Sequence, residues 1–403
     1  MCSVSDIKMV RATYRCFSAA PFPKESIEGF RKTYAVPERA INWFPGHMAK
    51  GLRLMQEKLS TIDLLIEARD ARIPLSSINP KFEELLAAIP RNGSGRTIAS
   101  RLTRVIVYNK SDLIPSDSQS AIRDRMLPYT KDQILFTAAD LNLNIKKILD
   151  VARQKAEKDP LKYPFLNVMV VGMPNVGKSS LINALRRAGV NKGKVVQTGG
   201  QPGVTRSIGC NIKVWDDPPI YLVDTPGVMI PHIPDPLISL KVALTGGIHD
   251  HLADTQVLVD YLLFRLNELG GANFYVDRFG GEPTDNVTEL LNRISHKSGM
   301  LSKGGVPDFP AAAQHFLKMF RLGKLGNFVF DDISREGFKS FFEYLDLSHK
   351  LSPSKLKLGE TPTASSVGNY QILPSKQMAL RAKRQARLEK IRLKRLSMPA
   401  PKF

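Results

Sequence analysis

Two alternating patterns of hydrophobic and polar residues run through the first half of the chain. Short apolar runs rich in β-branched residues predict buried strands at 61–68, 104–108, 134–137, 167–171 and 220–223. Stretches with an apolar residue at every third or fourth position predict helices at 50–59, 145–158 and 180–188. Because strands and helices alternate, the pattern favours an α/β domain with a mostly parallel sheet.

The pattern changes after Pro236, where the strand-like runs fade. Helical periodicity predicts a small helical domain with helices at 237–244, 254–267, 287–295 and 311–320. A further helix is expected near 25–34, ahead of the sheet. Residues 353–374 are rich in Ser, Pro, Thr and Gly, which is typical of a linker. Residues 375–398 are expected to form a basic helix that has no hydrophobic core of its own.

A glycine-rich turn lies between the predicted strand at 167–171 and the helix at 180–188. Residues 172–179 read Gly-Met-Pro-Asn-Val-Gly-Lys-Ser, which matches the phosphate-loop pattern G-x-x-x-x-G-K-[ST] in full. In such a loop, glycines let backbone N–H groups face the phosphate oxygens, and the positive end of the next helix adds to the attraction. Lys178 would reach the β- and γ-phosphates as a catalytic group, and the hydroxyl of Ser179 would bind Mg²⁺. The nucleotide-binding candidates of this loop are Asn175, Val176, Gly177, Lys178, Ser179 and Ser180.

Two further segments could complete a site for Mg²⁺ and the γ-phosphate. Asp224 and Gly227 stand in a D-x-x-G pattern directly after a predicted strand, where the acid would hold Mg²⁺ and the glycine N–H would contact the γ-phosphate. The glycine-rich stretch 199–205 offers Thr205 as a catalytic and metal-binding hydroxyl, with Thr198 as its competitor. The predicted Mg²⁺ ligands are therefore Ser179, Thr205 and Asp224.

A base-reading motif precedes the phosphate loop. Residues 109–112 read Asn-Lys-Ser-Asp at the end of a predicted strand. The carboxylate of Asp112 can accept hydrogen bonds from N1–H and the 2-amino group of guanine, a pair of donors that adenine lacks. Asn109 would tie this loop to the phosphate side, and the stem of Lys110 would cover the base. A later loop, from which a backbone N–H could also reach guanine, adds the candidates Thr137 and Ala138.

The base-reading motif thus stands before the phosphate loop rather than after it. With this order, and with residues 43–50 (Trp-Phe-Pro-Gly-His-Met-Ala-Lys) and 70–74 (Asp-Ala-Arg-Ile-Pro), the chain resembles the circularly permuted GTPases of ribosome assembly, specifically the ribosome biogenesis GTPase A branch. Segments 304–308 and 320–326 resemble the C-terminal domain of that branch. The resemblance spans about residues 42–330. It implies binding of GTP and GDP with Mg²⁺, a helical domain that contacts ribosomal RNA, assembly of the large ribosomal subunit, and release upon hydrolysis.

The residue that activates water departs from the common GTPase pattern. Where small GTPases place glutamine directly after D-x-x-G, this chain has Val228. The resemblance suggests His47 as the catalytic substitute, since a histidine can orient water or take up a proton near neutral pH. A structural loop histidine is the alternative. We expect slow hydrolysis by the protein alone and faster hydrolysis on a large ribosomal subunit.

Charge narrows the choice of partners. The formal net charge is +20, and residues 351–403 carry twelve Lys or Arg against two Glu, which is about half of the excess. Such a tail favours contact with RNA phosphates, while the anionic mitochondrial inner membrane and a solvated tail are the alternatives. DNA is not an expected partner. An ATP-using phosphate-loop enzyme and an RNA-binding scaffold with little turnover are the rival classes of function.

The N-terminal composition bears on location. The first 24 residues contain four Lys or Arg and one Asp, which is typical of a mitochondrial presequence, with a frayed basic terminus as the alternative. We therefore expect a protein of the mitochondrial matrix, with peripheral contact to the inner membrane as a further expectation, and a plastid or cytosolic member of the family as the rival. The three cysteines form neither a disulfide nor a metal-ligand pattern, and no apolar run approaches the ~20 residues of a membrane span.

Four parts are expected along the chain. They are a presequence and N-terminal extension (1–35), the permuted GTPase domain (36–236), the helical RNA-contacting domain (237–350), and a linker with a basic tail (351–403). Because D-x-x-G leads directly into the helical domain, a shift driven by the γ-phosphate could be passed to that domain through the connecting residues.

Overall fold

The computed structural model describes residues 30–37, 58–59, 61–80, 102–190, 212–224, 235–248, 250–350 and 370–373. Its strands are β1 (Tyr34–Pro37), β2 (Leu64–Asp70), β3 (Thr103–Asn109), β4 (Gln133–Phe136), β5 (Leu166–Gly172), β6 (Ile212–Trp215), β7 (Ile220–Asp224) and β8 (Tyr370–Leu373). Six of them form the central sheet, in the order β4-β3-β2-β5-β7-β6. Neighbouring strands of this sheet are parallel, except that β6 runs antiparallel to β7. The predicted α/β class with a mostly parallel sheet is confirmed.

The registers of the parallel strands bring the ends of four strands to one edge of the sheet. Asp70, the last residue of β2, lies opposite Asn109, the last residue of β3. On the other side of β2, β5 ends at Gly172, and β7 beside it ends at Asp224. In open α/β sheets, ligands bind outside the carboxyl ends of the strands. This edge is therefore where the predicted motifs converge.

Three complete α-helices lie in the described residues between β3 and β6, namely α1 (Ser116–Met126), α2 (Ile145–Lys158) and α3 (Lys178–Val190). Helix α2 has the predicted bounds, because its buried residues recur at helical spacing on one face. Helix α1 was not predicted, since only Ser118, Ile122 and Met126 of its eleven residues are buried. Strand β6 was missed as well, because its sequence, Ile-Lys-Val-Trp, is short and interrupted by a charge.

From Pro236 onward, the described residues form six α-helices, namely α4 (Pro236–Leu244), α5 (Thr255–Glu268), α6 (Ala272–Phe279), α7 (Val287–Lys297), α8 (Phe309–Arg321) and α9 (Arg335–Lys350). Four of them begin after a capping side chain that accepts backbone N–H bonds from the first turn, and these caps are Asp235, Asp254, Asn286 and Asp308. None of the described helices is long and apolar enough to cross a membrane. One cluster of buried apolar residues runs from the sheet, with Ile66 and Ile106, into these helices, with Leu262 and Phe316. Residues 236–350, called the helical part below, therefore pack on the sheet through a shared core.

The structure corrects two predictions near the ends of the chain. Tyr34, expected in a helix at 25–34, begins β1, and residues 370–373 of the predicted linker form β8, which pairs in parallel with β1. Tyr34 is buried, and its hydroxyl donates to the carbonyl of Val257 at 3.2 Å. The guanidinium of Arg31 forms ion pairs with Asp260 and Asp285, each at 2.9 Å. Residues 31–36 are thus attached to the helical part.

A buried carboxylate joins the helical part to the loop after β2. Asp331 accepts the backbone N–H groups of Leu75 and Ser76, both at 2.8 Å, and the hydroxyl of Ser76 at 2.6 Å. The ammonium group of Lys241 on α4 lies 3.0 Å from the same carboxylate. Because Asp331 is only 3% exposed, its charge depends on these four donors for the solvation that water would otherwise supply.

We expect Asp331→Asn to destabilise the fold by about 2 kcal/mol, because one carboxylate that accepts charge-assisted hydrogen bonds is replaced by a neutral amide. Urea unfolding, followed by circular dichroism, would show a lower midpoint with an unchanged slope. Asp277→Asn, on the exposed face of α6, is the matched control and should leave the midpoint in place. Equal midpoints for Asp331→Asn and the wild type would contradict this account of the junction.

Candidate functional site

The loop between β5 and α3 has the backbone geometry that its two glycines allow. Gly172 has φ of 147° and Gly177 has φ of 97°, both in the region that favours glycine. A Cβ on Gly172 would lie 2.2 Å from the carbonyl oxygen of Ala68, and one on Gly177 would lie 2.2 Å from Nδ2 of Asn109. The second clash is informative, because it shows that the phosphate loop closes directly against the base-reading motif.

Lys178 lies across the loop rather than in solvent. It is the first residue of α3, it is 7% exposed, and its Nζ donates to the carbonyl of Met173 at 2.9 Å. Ser179 and Ser180 follow in the first turn of α3, both partly exposed. A buried ammonium beside a helix N-terminus favours an anion at this position, because both present positive charge to the same space.

Asn109 hydrogen-bonds to two loops that are far apart in the sequence. Its Nδ2 donates to the carbonyl of Val176 in the phosphate loop at 2.9 Å. Its Oδ1 accepts the backbone N–H of Ala139 at 3.0 Å and the hydroxyl of Thr137 at 3.2 Å. The side chain is 2% exposed, so these contacts satisfy a buried amide. The base-reading motif, the phosphate loop and the loop after β4 therefore form one site.

The first three backbone N–H groups of the loop after β4 have partners within the protein. Thr137 donates its N–H to the carbonyl of Tyr108 at 2.9 Å, and Ala138 donates to Leu143 at 3.3 Å. The N–H of Ala139 is directed to Asn109 at 3.0 Å. A contact from Thr137 or Ala138 to the base stays a prediction.

The ammonium group of Lys110 has two partners outside its own motif. Its Nζ donates to the carbonyl of Asn175 at 2.6 Å and lies 2.9 Å from Oδ2 of Asp70. Lys110 also has a left-handed backbone, with φ of 59°. The ammonium group therefore connects the base-reading motif to the phosphate loop and to the end of β2.

Asp70 and Arg72 form a buried ion pair beside this lysine. Oδ2 of Asp70 lies 2.7 Å from Nη2 of Arg72, and both side chains are 2% exposed. Burial by itself would raise the pKa of Asp70, but Arg72 and Lys110 outweigh it and hold the pKa of that carboxyl well below its usual range. In the sequence, Asp70 and Arg72 stand out only within segment 70–74, which carries part of the resemblance, and neither was predicted as a site residue. The available signal was an acid at the end of the strand next to β3.

Asp112 is the open part of the site. It lies in a short 3₁₀ turn, and its side chain is exposed. Partial burial at the base of the turn raises the pKa of its carboxyl, and Asp140 adds to that shift. The backbone of the turn is fixed from the helical part, since Asn327 Nδ2 donates to the carbonyl of Asp112 at 3.0 Å and Phe328 N–H to that of Leu113 at 3.2 Å.

The phosphate loop is also fixed from the helical part. Nδ2 of Asn175 donates to the carbonyl of Gly246, just after α4, at 2.6 Å. Arg321 of α8 donates to the carbonyls of Ala243 and Leu244, each at 3.0 Å, and pairs with Asp250 at 2.7 Å. The turn that Asn175 contacts is thus itself held in place by the helices.

The predicted Mg²⁺ ligands are only partly within the described residues. Ser179 lies in the first turn of α3, and Asp224 is the last residue of β7 at the same edge of the sheet. Hydroxyl and carboxylate oxygens are ligands that Mg²⁺ prefers. The donor set therefore fits this ion. Four candidates lie outside the described residues, namely His47, Thr198, Thr205 and Gly227. Within the described residues, no group of three or more His, Cys, Asp or Glu side chains could hold a metal ion.

Comparisons with known proteins agree with this arrangement. A family model described as a 50S ribosome-binding GTPase matches residues 167–296. The match begins at β5, after the base-reading motif at 109–112. In GTPases that are not permuted, the base-reading motif follows the phosphate loop in the sequence, so it would lie within or after such a match.

Full-length relatives extend the similarity over most of the chain. Mitochondrial ribosome-associated GTPase 1 of Bos taurus is 38% identical over 321 residues, which cover 75% of this chain and 92% of that protein. The protein of the same name from Xenopus tropicalis is 37% identical over 318 residues, covering 75% and 98%. Ribosome biogenesis GTPase A of Priestia megaterium is 33% identical over 308 residues, covering 73% and 97%. The chain therefore belongs to the family of circularly permuted GTPases that includes mitochondrial ribosome-associated GTPase 1 and ribosome biogenesis GTPase A.

Proposed function

We propose that this protein is a Mg²⁺-dependent GTPase that assists assembly of the large subunit of the mitochondrial ribosome. In this proposal it binds ribosomal RNA in its GTP state and is released after hydrolysis. The names of its relatives support a ribosomal role and a mitochondrial location. The observation that carries the nucleotide part is the hydrogen bond from Asn109 to Val176, because it joins a guanine-specific motif to a phosphate loop.

The roles proposed for the side chains follow from their positions. Asp112 would accept the two donors on the edge of guanine, and the first turn of α3 would bind the phosphates through its N–H groups, with Ser180 beside the α-phosphate. Lys178 already lies against the loop, so a small rotation would bring its ammonium group to the β- and γ-phosphates. A bound Mg²⁺ would neutralise charge on the phosphates, and Ser179, Thr205 and Asp224 would hold it, while Gly227 would contact the γ-phosphate.

Hydrolysis is proposed to be slow in the isolated protein. Val228 cannot orient water, so the protein depends on another group, for which His47 is our candidate. Binding to the ribosomal subunit would then place this group and raise the rate. In this proposal, the intact phosphate site switches the protein between a state bound to the ribosomal subunit and a released state.

The location proposed is the mitochondrial matrix, after removal of the N-terminal presequence. The basic tail, at 375–398, is proposed to contact RNA phosphates, and its charge is also suited to peripheral contact with the anionic inner membrane. The presequence and this tail lie outside the described residues.

Changing Asp112 to Asn should reverse the base preference. The variant loses two charge-assisted hydrogen bonds to guanine, so GDP affinity should fall about a hundredfold or more. Xanthine carries a carbonyl where guanine carries its amino group, and the Asn amide can donate to that oxygen. Titration of both proteins with GDP, XDP and ADP would measure the change. An unaltered order of affinities in Asp112→Asn would refute the guanine assignment.

Changing Lys178 to Ala should remove nucleotide binding, because one buried ammonium group supplies the main positive charge for the phosphates. GTP affinity should fall at least about a hundredfold in equilibrium titration. Lys131→Ala, at an exposed position before β4, is the matched control and should bind GTP as the wild type does. If the Lys178→Ala variant restores large-subunit assembly in cells depleted of the wild-type protein, nucleotide binding is not needed for assembly. The scaffold function would then be correct and the GTPase proposal would not.

Purified large mitochondrial subunits should raise the rate of GTP hydrolysis several-fold over that of the protein alone, because the missing water-orienting group is supplied or positioned on the subunit. Phosphate release would be measured with large subunits, with small subunits as control, and without either. His47→Ala should lower the stimulated rate and leave GDP affinity unchanged. Identical rates with and without large subunits would contradict the proposal.

A further inference from the structure

Asp70 is a buried carboxylate beside the nucleotide site with four hydrogen-bond donors around it. It accepts three hydrogen bonds from Arg72, from the backbone N–H at 3.1 Å, Nε at 2.9 Å and Nη2 at 2.7 Å. Its fourth donor is Nζ of Lys110, at 2.9 Å. A lone Arg–Asp pair would be satisfied by the first three contacts. The fourth brings in a residue of the base-reading motif.

The backbone of Lys110 explains why that contact matters. A φ of 59° is uncommon for a residue with a side chain, and such a conformation persists only where surrounding contacts hold it. Nζ of Lys110 is held by two groups outside this turn, the carboxylate of Asp70 and the carbonyl of Asn175 at 2.6 Å. The turn directly precedes Asp112, so its conformation sets where the base-reading carboxylate stands.

Asp70 is in turn oriented from the helical part. The carbonyl of Arg72 accepts the N–H of Phe330 at 2.8 Å, and the Arg72 guanidinium carbon lies 5.4 Å from the ring centre of Phe320 on α8. Arg72 is therefore fixed at its backbone and at its side chain by residues beyond position 236. An unbroken series of contacts runs from Phe330 through Arg72 and Asp70 to Lys110.

We propose that Asp70 is a positioning residue for the guanine nucleotide. By holding Lys110, it fixes the turn that carries Asp112, and Arg72 in turn holds the carboxylate of Asp70 in place. The inference rests on the proposed guanine-nucleotide site and adds to it a residue that does not touch the nucleotide.

The test uses the full-length protein and the release of fluorescently labelled GDP chased with unlabelled GDP. Asp70→Asn should raise the dissociation rate about tenfold or more, because loss of one charge-assisted contact loosens Lys110. Lys110→Met should raise it at least as much. The two changes remove the same contact, so the double variant should release GDP no faster than about twice the rate of Lys110→Met.

Asp331→Asn is the matched control, because Asp331 is an equally buried carboxylate at the same junction without contact to Lys110. It should lower the urea midpoint and leave the GDP dissociation rate within about twofold of the wild type. Should Asp70→Asn alone give too little folded protein, Asp70→Asn combined with Arg72→Met avoids an unpaired buried guanidinium and should release GDP equally fast.

Three outcomes would overturn the role of Asp70. These are a wild-type dissociation rate in folded Asp70→Asn, an equal acceleration in Asp331→Asn, and full multiplication of the Asp70→Asn and Lys110→Met effects in the double variant. A wild-type protein that fails to retain GDP would overturn the proposed function itself together with this inference. Wild-type retention with no effect of Asp70→Asn would remove only the positioning role.

Discussion

The side-chain amide of Asn109 both donates and accepts hydrogen bonds, and the rest of the nucleotide site depends on both kinds. Its nitrogen donates to the phosphate loop through Val176, and its oxygen accepts from Ala139 in the loop after β4. This requires β3 to end beside β2 with Asn109 in register with Asp70. A slip of one residue would turn the amide to the opposite face of the sheet. Gly177 completes the constraint, since any side chain there would occupy the space of the amide.

The helical part contacts the site at places that the order of motifs did not suggest. The permuted order indicated a path from D-x-x-G into the helices, but residues 225–234 lie outside the described part of the chain, and that path stays a prediction. The described contacts reach the site from two other sides, through Asn327 and Phe328 to the base-reading turn and through Gly246 to Asn175. Base and phosphate loops are thus both linked to helices that follow them in the chain.

Much of the fold could be predicted because buried parallel strands and one-sided helices leave clear patterns. Strand β5 and helix α2 are examples, the first a continuous apolar run and the second an apolar face repeated at helical spacing. Helix α1 could not be predicted this way, since few of its residues meet the core. Motifs also singled out Asn109 and Lys178 as candidate site residues, but the partners of Lys110 arise from strand pairing. No local sequence pattern predicts that Asp70, forty residues before Lys110, lies 2.9 Å from the ammonium group of that lysine.

The pairing of β1 with β8 has a practical side for anyone who shortens this protein. Tyr34 fills a space between the rings of Tyr261 and Phe264, with ring centres 5.3 and 5.4 Å away. Trimming the N-terminus beyond residue 30 to obtain better crystals would remove the Arg31 ion pairs first and then open a hollow in the helical part. Trimming the C-terminus ahead of Tyr370 would leave the backbone of β1 without its neighbour. The two ends of the chain, although both look dispensable in the sequence, must be shortened with each other in mind.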